Sequence, residues 1–267
     1  MSKKRLINRI EVDTILKKYN IRLSKYNIDN EGRIDVEGDV EFRYTNLNYL
    51  PLKFGKVNGS FNCSGLTLQS LKGAPSYVKY DFRCENNALT SLKYGPKHVG
   101  GSYNCSNNKL ETLTGCATEI GRDFVCKHNK LKSLHGSPIE FYGRFNCSHN
   151  LLTSFAGAPE TFRGAIYANS NYLINLKGFL KFDGTIFIDP SASSINTGYV
   201  DHPKMKIEIR LQSKYGHEFM PRPILENHLF WDTILKYQRY YEIWTDDDQL
   251  HTDYFQMLLE DLKDGLL

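Results

Sequence analysis

No run in this 267-residue chain approaches the roughly 20 apolar residues that a membrane span requires, so no membrane-embedded partner or role is expected. Low-complexity tracts are missing too, and with 40% hydrophobic residues the chain suffices for one large domain or two small ones. Charge of one sign is scarce overall. A net charge of +4 is too mild to mark a nucleic-acid-binding protein, and such a partner is not expected. Near the N-terminus Leu6, Ile7 and Ile10 are interleaved with Asn8, Arg9, Glu11 and Asp13, so the uninterrupted apolar core of a secretory signal is not expected. A cytoplasmic protein is the default expectation. No Cys-x-x-Cys, His-x-x-x-His, Gly-x-Ser-x-Gly, P-loop or dinucleotide fingerprint occurs. The chain is therefore not expected to be an enzyme: no catalytic residue, metal or cofactor is assigned, and any residual activity would reside in residues 191–267.

What the chain does have is a repeat. Phe61, Phe82, Tyr103, Phe124, Phe145 and Ile166 follow one another at intervals of 21 residues. Two residues after each stands Cys63, Cys84, Cys105, Cys126, Cys147, then Ala168. Five residues after it come Asn87, Asn108, Asn129, Asn150 and Asn171, with Leu66 in the first unit. Leucine columns follow (Leu68, Leu89, Leu110 and on; Leu71, Leu92, Leu113 and on), then Gly73, Gly115, Gly136 and Gly157, with Gly95 one residue late. Alternation before each Asn predicts a strand with one buried face, and Gly and Pro supply the turn that brings the chain round. One coil cannot bury its apolar face alone; stacked coils can, as a parallel sheet with strands about 4.8 Å apart.

Columns that look chemical have a structural explanation. Cysteines spaced by a whole coil stack inside the solenoid, where a free thiol behaves as a small hydrophobe. The Asn column offers a donor and an acceptor to backbone groups that lose their partners where the strand turns. His128 and His149 share a column next to it and read as turn positions at the solvent edge.

The segment Phe-x-Cys-x-x-Asn-x-Leu matches the core of a leucine-rich repeat, with Phe and Cys at the two strand leucines. With units such as Leu89-Thr-Ser-Leu-Lys-Tyr-Gly-Pro through Asn108, and the lead-in Ile34-Asp-Val-Glu-Gly-Asp-Val-Glu-Phe42, the chain resembles the leucine-rich-repeat proteins of large tailed bacteriophages. More distantly it is similar to short-repeat bacterial effectors. The resemblance covers residues 28–190, with departures at Leu66, Tyr94, Ala117 and Leu180. It implies a fold, a viral origin and, in that case, the host cytoplasm. It implies no single activity.

The fold class expected is thus a repeat solenoid: a short-period, leucine-rich-repeat-like parallel sheet with an N-terminal helical cap and a mostly helical C-terminal cap. Residues 1–33 form the first cap, 34–190 about seven coils and 191–267 the second cap. Residues 4–18 read as one amphipathic helix, Lys204–Leu211 as a strand, and two helices follow from near Asp232 and Asp247. Asp246–Asp248 read as a helix N-cap. Charge is lopsided between the ends. Residues 1–26 hold Lys3, Lys4, Arg5, Arg9, Lys17, Lys18, Arg22 and Lys25 against Glu11 and Asp13, whereas residues 245–267 hold seven acids against Lys263.

Positions flanking the buried Cys can vary without harm to the core. Most are small and polar; Arg83, Glu85, Val125, Lys127, Asn146 and Tyr167 are the partner-binding candidates, on the face that leucine-rich repeats use for partners. The function expected is a protein–protein interaction scaffold, a phage protein that modulates or inhibits a host defence or takeover protein, its partner a host or viral protein. Alternatives are a structural virion component and nucleic-acid binding through the basic N-terminal region. No oligomeric state follows from the pattern.

Overall fold

Parallel strands at a period of about 21 residues form a β-solenoid of about six turns in the computed structural model of the chain. The described residues are 6–43, 46–159, 161–173, 181–188, 206–209 and 250–267, with scattered positions between 223 and 243. The expected loop at 191–198, the acidic triplet Asp246–Asp248, Leu180 and most of the first C-terminal helix lie outside them, as does part of the seventh coil. The chain divides into two units, residues 1–131 with 135–146, and residues 132–134 with 147–267.

The first unit opens with helix α1 (Arg9–Lys18), shorter than the 4–18 expected. Asn8 stops it at that point: its side-chain oxygen accepts from the Glu11 N–H at 3.0 Å, and the Glu11 carboxylate accepts from the Asn8 N–H at 2.9 Å. This reciprocal cap satisfies two of the N–H groups that a helix start leaves without partners. The rest of the expected helical cap is a strand, β1 (Ile21–Ile28), antiparallel to β2 (Ile34–Phe42). A register shift between Leu23 and Lys25 conceals it in the sequence. The buried phase runs through Ile21 and is resumed at Tyr26, five residues on, so no single period-two pattern fits. Tyr26 ties the strand to the helix, its hydroxyl donating to Asp13 at 2.6 Å.

From β2 onward each coil contributes two very short strands. One ladder holds β3 (Phe54–Val57), β5 (Tyr77–Val78), β7 (His98–Val99), β9 (Glu119–Ile120) and β11 (Glu140–Phe141). The other holds β4 (Phe61–Asn62), β6 (Phe82–Arg83), β8 (Tyr103–Asn104), β10 (Phe124–Val125) and β12 (Phe145–Asn146). Both ladders are parallel, and β2 is long enough to start both, pairing Ile34 with Phe54 and Val40 with Phe61. Inside, Phe61, Phe82, Tyr103, Phe124 and Phe145 are fully buried, and successive ring centroids lie 4.9 to 5.8 Å apart.

In the second unit β13 (Thr161–Tyr167), β14 (Lys181–Ile188) and β15 (Lys206–Ile209) are parallel neighbours. Ile166 pairs with Ile186, a step of 20 residues, and Ile186 with Ile207, a step of 21. The parallel register thus continues past residue 190, where the repeat columns end. β15 carries neither the Cys nor the Asn that marks a coil, so its strand was legible but not its membership of the sheet. Helix α2 (Thr252–Lys263) starts later than the Asp247 expected. His251 is extended, and its N–H bonds Ile243 O at 2.8 Å, which holds that residue out of the helix. Phe255, Leu258 and Leu259 are its buried face.

Candidate interaction surface

Each coil hands its backbone to the next. The N–H groups of Cys63, Cys84, Cys105 and Cys126 donate to Arg83, Asn104, Val125 and Asn146 carbonyls one coil on, at 2.8 to 2.9 Å. All six cysteines are buried and none is in a disulfide. Burial pushes the thiols of Cys63, Cys84, Cys105, Cys116 and Cys147 up, that of Cys147 to about 12, so the reactive thiolate is suppressed and these side chains are packing material. Among the described residues no group of three or more His, Cys, Asp and Glu side chains could hold a metal ion.

The asparagines close the backbone where the strand ends. The Asn108 amide donates to the carbonyls of Cys84, Cys105 and Ser106 at 3.0 to 3.1 Å, and its oxygen accepts from Leu89 N–H at 3.0 Å. Asn87 and Asn129 repeat this pattern, with Leu68 and Leu110 N–H as donors. In the second unit Asn171 donates to Cys147 and Ala168 carbonyls and accepts from Leu152 N–H, and Asn150 donates to Cys147 and Ser148 carbonyls. One preceding residue per coil takes a left-handed backbone: Asn86, Asn107, His128, His149 and Ser170 all have φ between 52° and 57°. Asn and His tolerate that region better than most residues, and this accounts for the two histidines as turn positions.

The outer strip of the first unit shows a period the 21-residue columns conceal. Asn62-Cys63-Ser64, Asn104-Cys105-Ser106 and Asn146-Cys147-Ser148 recur every second coil. Between them stand Arg83-Cys84-Glu85 and Val125-Cys126-Lys127. In the first type the Asn side chain is tied down: Asn62 accepts from Ser64 N–H at 3.1 Å and from its hydroxyl at 2.6 Å, and Asn104 holds Ser106 the same way. The corner between the two ladders alternates in step. Asp39, Asp81 and Asp123 accept from the backbone N–H of Ser60, Ser102 and Arg144, one coil on, at 2.7 to 2.9 Å. The residue before each donor is Gly59, Gly101 or Gly143, and a Cβ on Gly101 or Gly143 would collide with the carboxylate. Comparison of coils two apart rather than one apart would have exposed this signal.

On this floor the partner-binding candidates differ in standing. Arg83 is the most exposed, and pairs with Asp81 at 3.3 Å. Val125, Lys127 and Asn146 are half-buried in the same strip. Glu85 is half-buried too, and its Oε2 is shielded from solvent with no hydrogen-bond donor. Desolvation raises its carboxyl above the ordinary glutamate value. Tyr167 belongs to the second unit; it is half-buried and its ring stacks on Phe187 at 4.7 Å and 9°.

Two departures from the repeat acquire a physical reason. Tyr94, not Gly95, occupies the left-handed turn that Gly73, Gly115 and Gly136 fill, with φ +70°. Gly95 makes room instead. A Cβ there would lie 3.0 Å from Leu71 Cδ1, 3.1 Å from the Leu92 carbonyl and 3.3 Å from the hydroxyl of Tyr103, the one Tyr in the ring column. That hydroxyl is buried without a partner.

Fold and strip together define a repeat solenoid that presents a built outer surface on an inert interior. Among the described residues no helix is long and apolar enough to cross a membrane. Compared with protein-family models, with curated proteins and with solved structures, the chain matches none.

Proposed function

We propose that this protein is an interaction scaffold that binds a partner protein on the outer strip, at Arg83, Glu85, Val125 and Lys127. One observation carries the reading: Glu85 keeps a carboxylate oxygen shielded from solvent and without a donor, on a strip where Asn62 and Asn104 are tied to Ser64 and Ser106. Such a group costs stability unless a donor arrives from outside, and a Lys or Arg side chain of a partner supplies one. Arg83 beside it, exposed and paired with Asp81 at the surface, is of the residue type that carries binding energy, and Val125 adds apolar contact area. The resemblance to bacteriophage leucine-rich-repeat proteins adds the finer reading, in which the partner is a host defence or takeover protein that is modulated or inhibited.

The test is capture from host lysate with the wild type and with a variant carrying Arg83→Ala, Glu85→Ala, Val125→Ala and Lys127→Ala. We expect one protein to be captured by the wild type and lost with the variant, while the melting temperature of the variant stays at or above wild type. A partner retained by the variant overturns the assignment of the strip.

A further inference from the structure

We infer that the protein self-associates, the exposed face of α1 in one copy docking on the exposed face of α2 in a second copy. The two helices present matched surfaces of opposite charge. On α1, Ile10, Thr14, Lys17 and Lys18 fall at the spacing of one helical face, and Ile10 is 78% exposed. Arg9 flanks it over the Tyr26 ring; Arg22 and Lys25 are exposed on the adjacent β1, where Glu41 and Glu37 of β2 stand opposite them, so the basic border rests on Arg9, Lys17 and Lys18. None of these five bases is in an ion pair among the described residues. Both acids of α1 are already engaged, Glu11 in the cap and Asp13 by the Tyr26 hydroxyl. On α2, Asp253, Met257, Glu260 and Asp264 share a face opposite the buried Phe255, Leu258 and Leu259, and Met257 is 54% exposed.

Each face therefore has an apolar centre with a charged border, basic on α1 and acidic on α2. An exposed Ile or Met at such a centre gains by leaving water, and the borders steer and orient the approach. The faces differ, so neither pairs with itself; copies that exchange both contacts close as a two-fold dimer, and copies that exchange one continue as a ring or an open chain. The outer strip takes no part, and this inference stands apart from the function proposed for it.

Sedimentation of the full chain at increasing concentration tests it. We expect reversible association that weakens about tenfold or more as salt rises past about 0.15 M, where charges are screened within about 8 Å. Glu260→Lys with Asp264→Lys should abolish it. Those changes place positive charge at a helix C-terminus, where it is favoured, so loss of folding does not confound them. Lys17→Glu with Lys18→Glu should abolish it as well, and the chain carrying all four reversals should regain it. A wild type that stays monomeric at every concentration overturns the inference, as does association that survives both reversals. Salt-dependent binding of duplex DNA by the monomeric wild type, lost with Lys17→Glu and Lys18→Glu, would instead give the basic face to nucleic acid.

Discussion

The interior of the first unit repeats every coil, and its outer strip repeats every second coil. Inside, Phe61, Phe82, Tyr103, Phe124 and Phe145 must each meet the same neighbours above and below, so 21 residues is the only period that close packing tolerates. Outside, a tied Asn–Ser coil alternates with a coil carrying Arg83 and Glu85 or Val125 and Lys127. The corner alternates with it, because an Asp that bridges to the next coil requires Gly in the coil it reaches. Identity of every coil is thus a demand of the core, and freedom to differ begins where that demand ends.

Adjacent residues offer the sharpest way to break this comparison. Phe124→Ala should cost about 3–5 kcal/mol in urea unfolding, whereas Val125→Ala, one residue on and facing out, should cost well under about 1 kcal/mol. Equal costs would mean that the strip is part of the core. Asn108→Asp is next in size. It removes donors from three carbonyls and sets a carboxylate among them, for a loss of about 3 kcal/mol at neutral pH. A melting temperature equal to wild type would refute the role given to the Asn column.

Tyr103→Phe runs the other way. It deletes a buried hydroxyl that has no partner and restores the residue of the ring column, and should stabilise by about 1 kcal/mol. A loss of stability would reveal a function for that hydroxyl. The smallest effect is a slope. Glu85 has its carboxyl raised in the folded protein, so its contribution is most favourable below the ordinary glutamate pKa and is lost as pH rises through the folded value. Melting temperature should decline across that window in the wild type and lose this decline in Glu85→Gln. The same slope in both proteins would show that Glu85 is as well solvated as an ordinary surface acid.

Much of the interior was open to reading because its physics is periodic. A parallel stack forces equivalent residues into register, so the Phe, Cys, Asn and Leu columns identify buried positions and turns without coordinates. Where periodicity fails, legibility fails with it. β1 was missed because a register shift moves its buried phase between Ile21 and Tyr26. β15 was seen as a strand but not as part of the sheet, since parallel pairing with β14 involves backbone groups that leave no residue signature. On the strip, the outward placement of Arg83, Glu85, Val125 and Lys127 follows from alternation. Alternation could not indicate that Tyr167 stacks on Phe187 or that a Glu85 oxygen is shielded without a donor, because both depend on how neighbouring coils close over a side chain.

The amino-acid sequence by itself determined the coil: its length, its strands, its turns and its inward residues, all set by local alternation and by the need to bury one face. Only the tertiary structure decided which Gly-column position takes the left-handed turn at Tyr94, that β1 and β15 join the sheet, and which outward groups are satisfied. Those outcomes rest on distances between residues a coil or more apart, and such distances exist only once the coils have stacked.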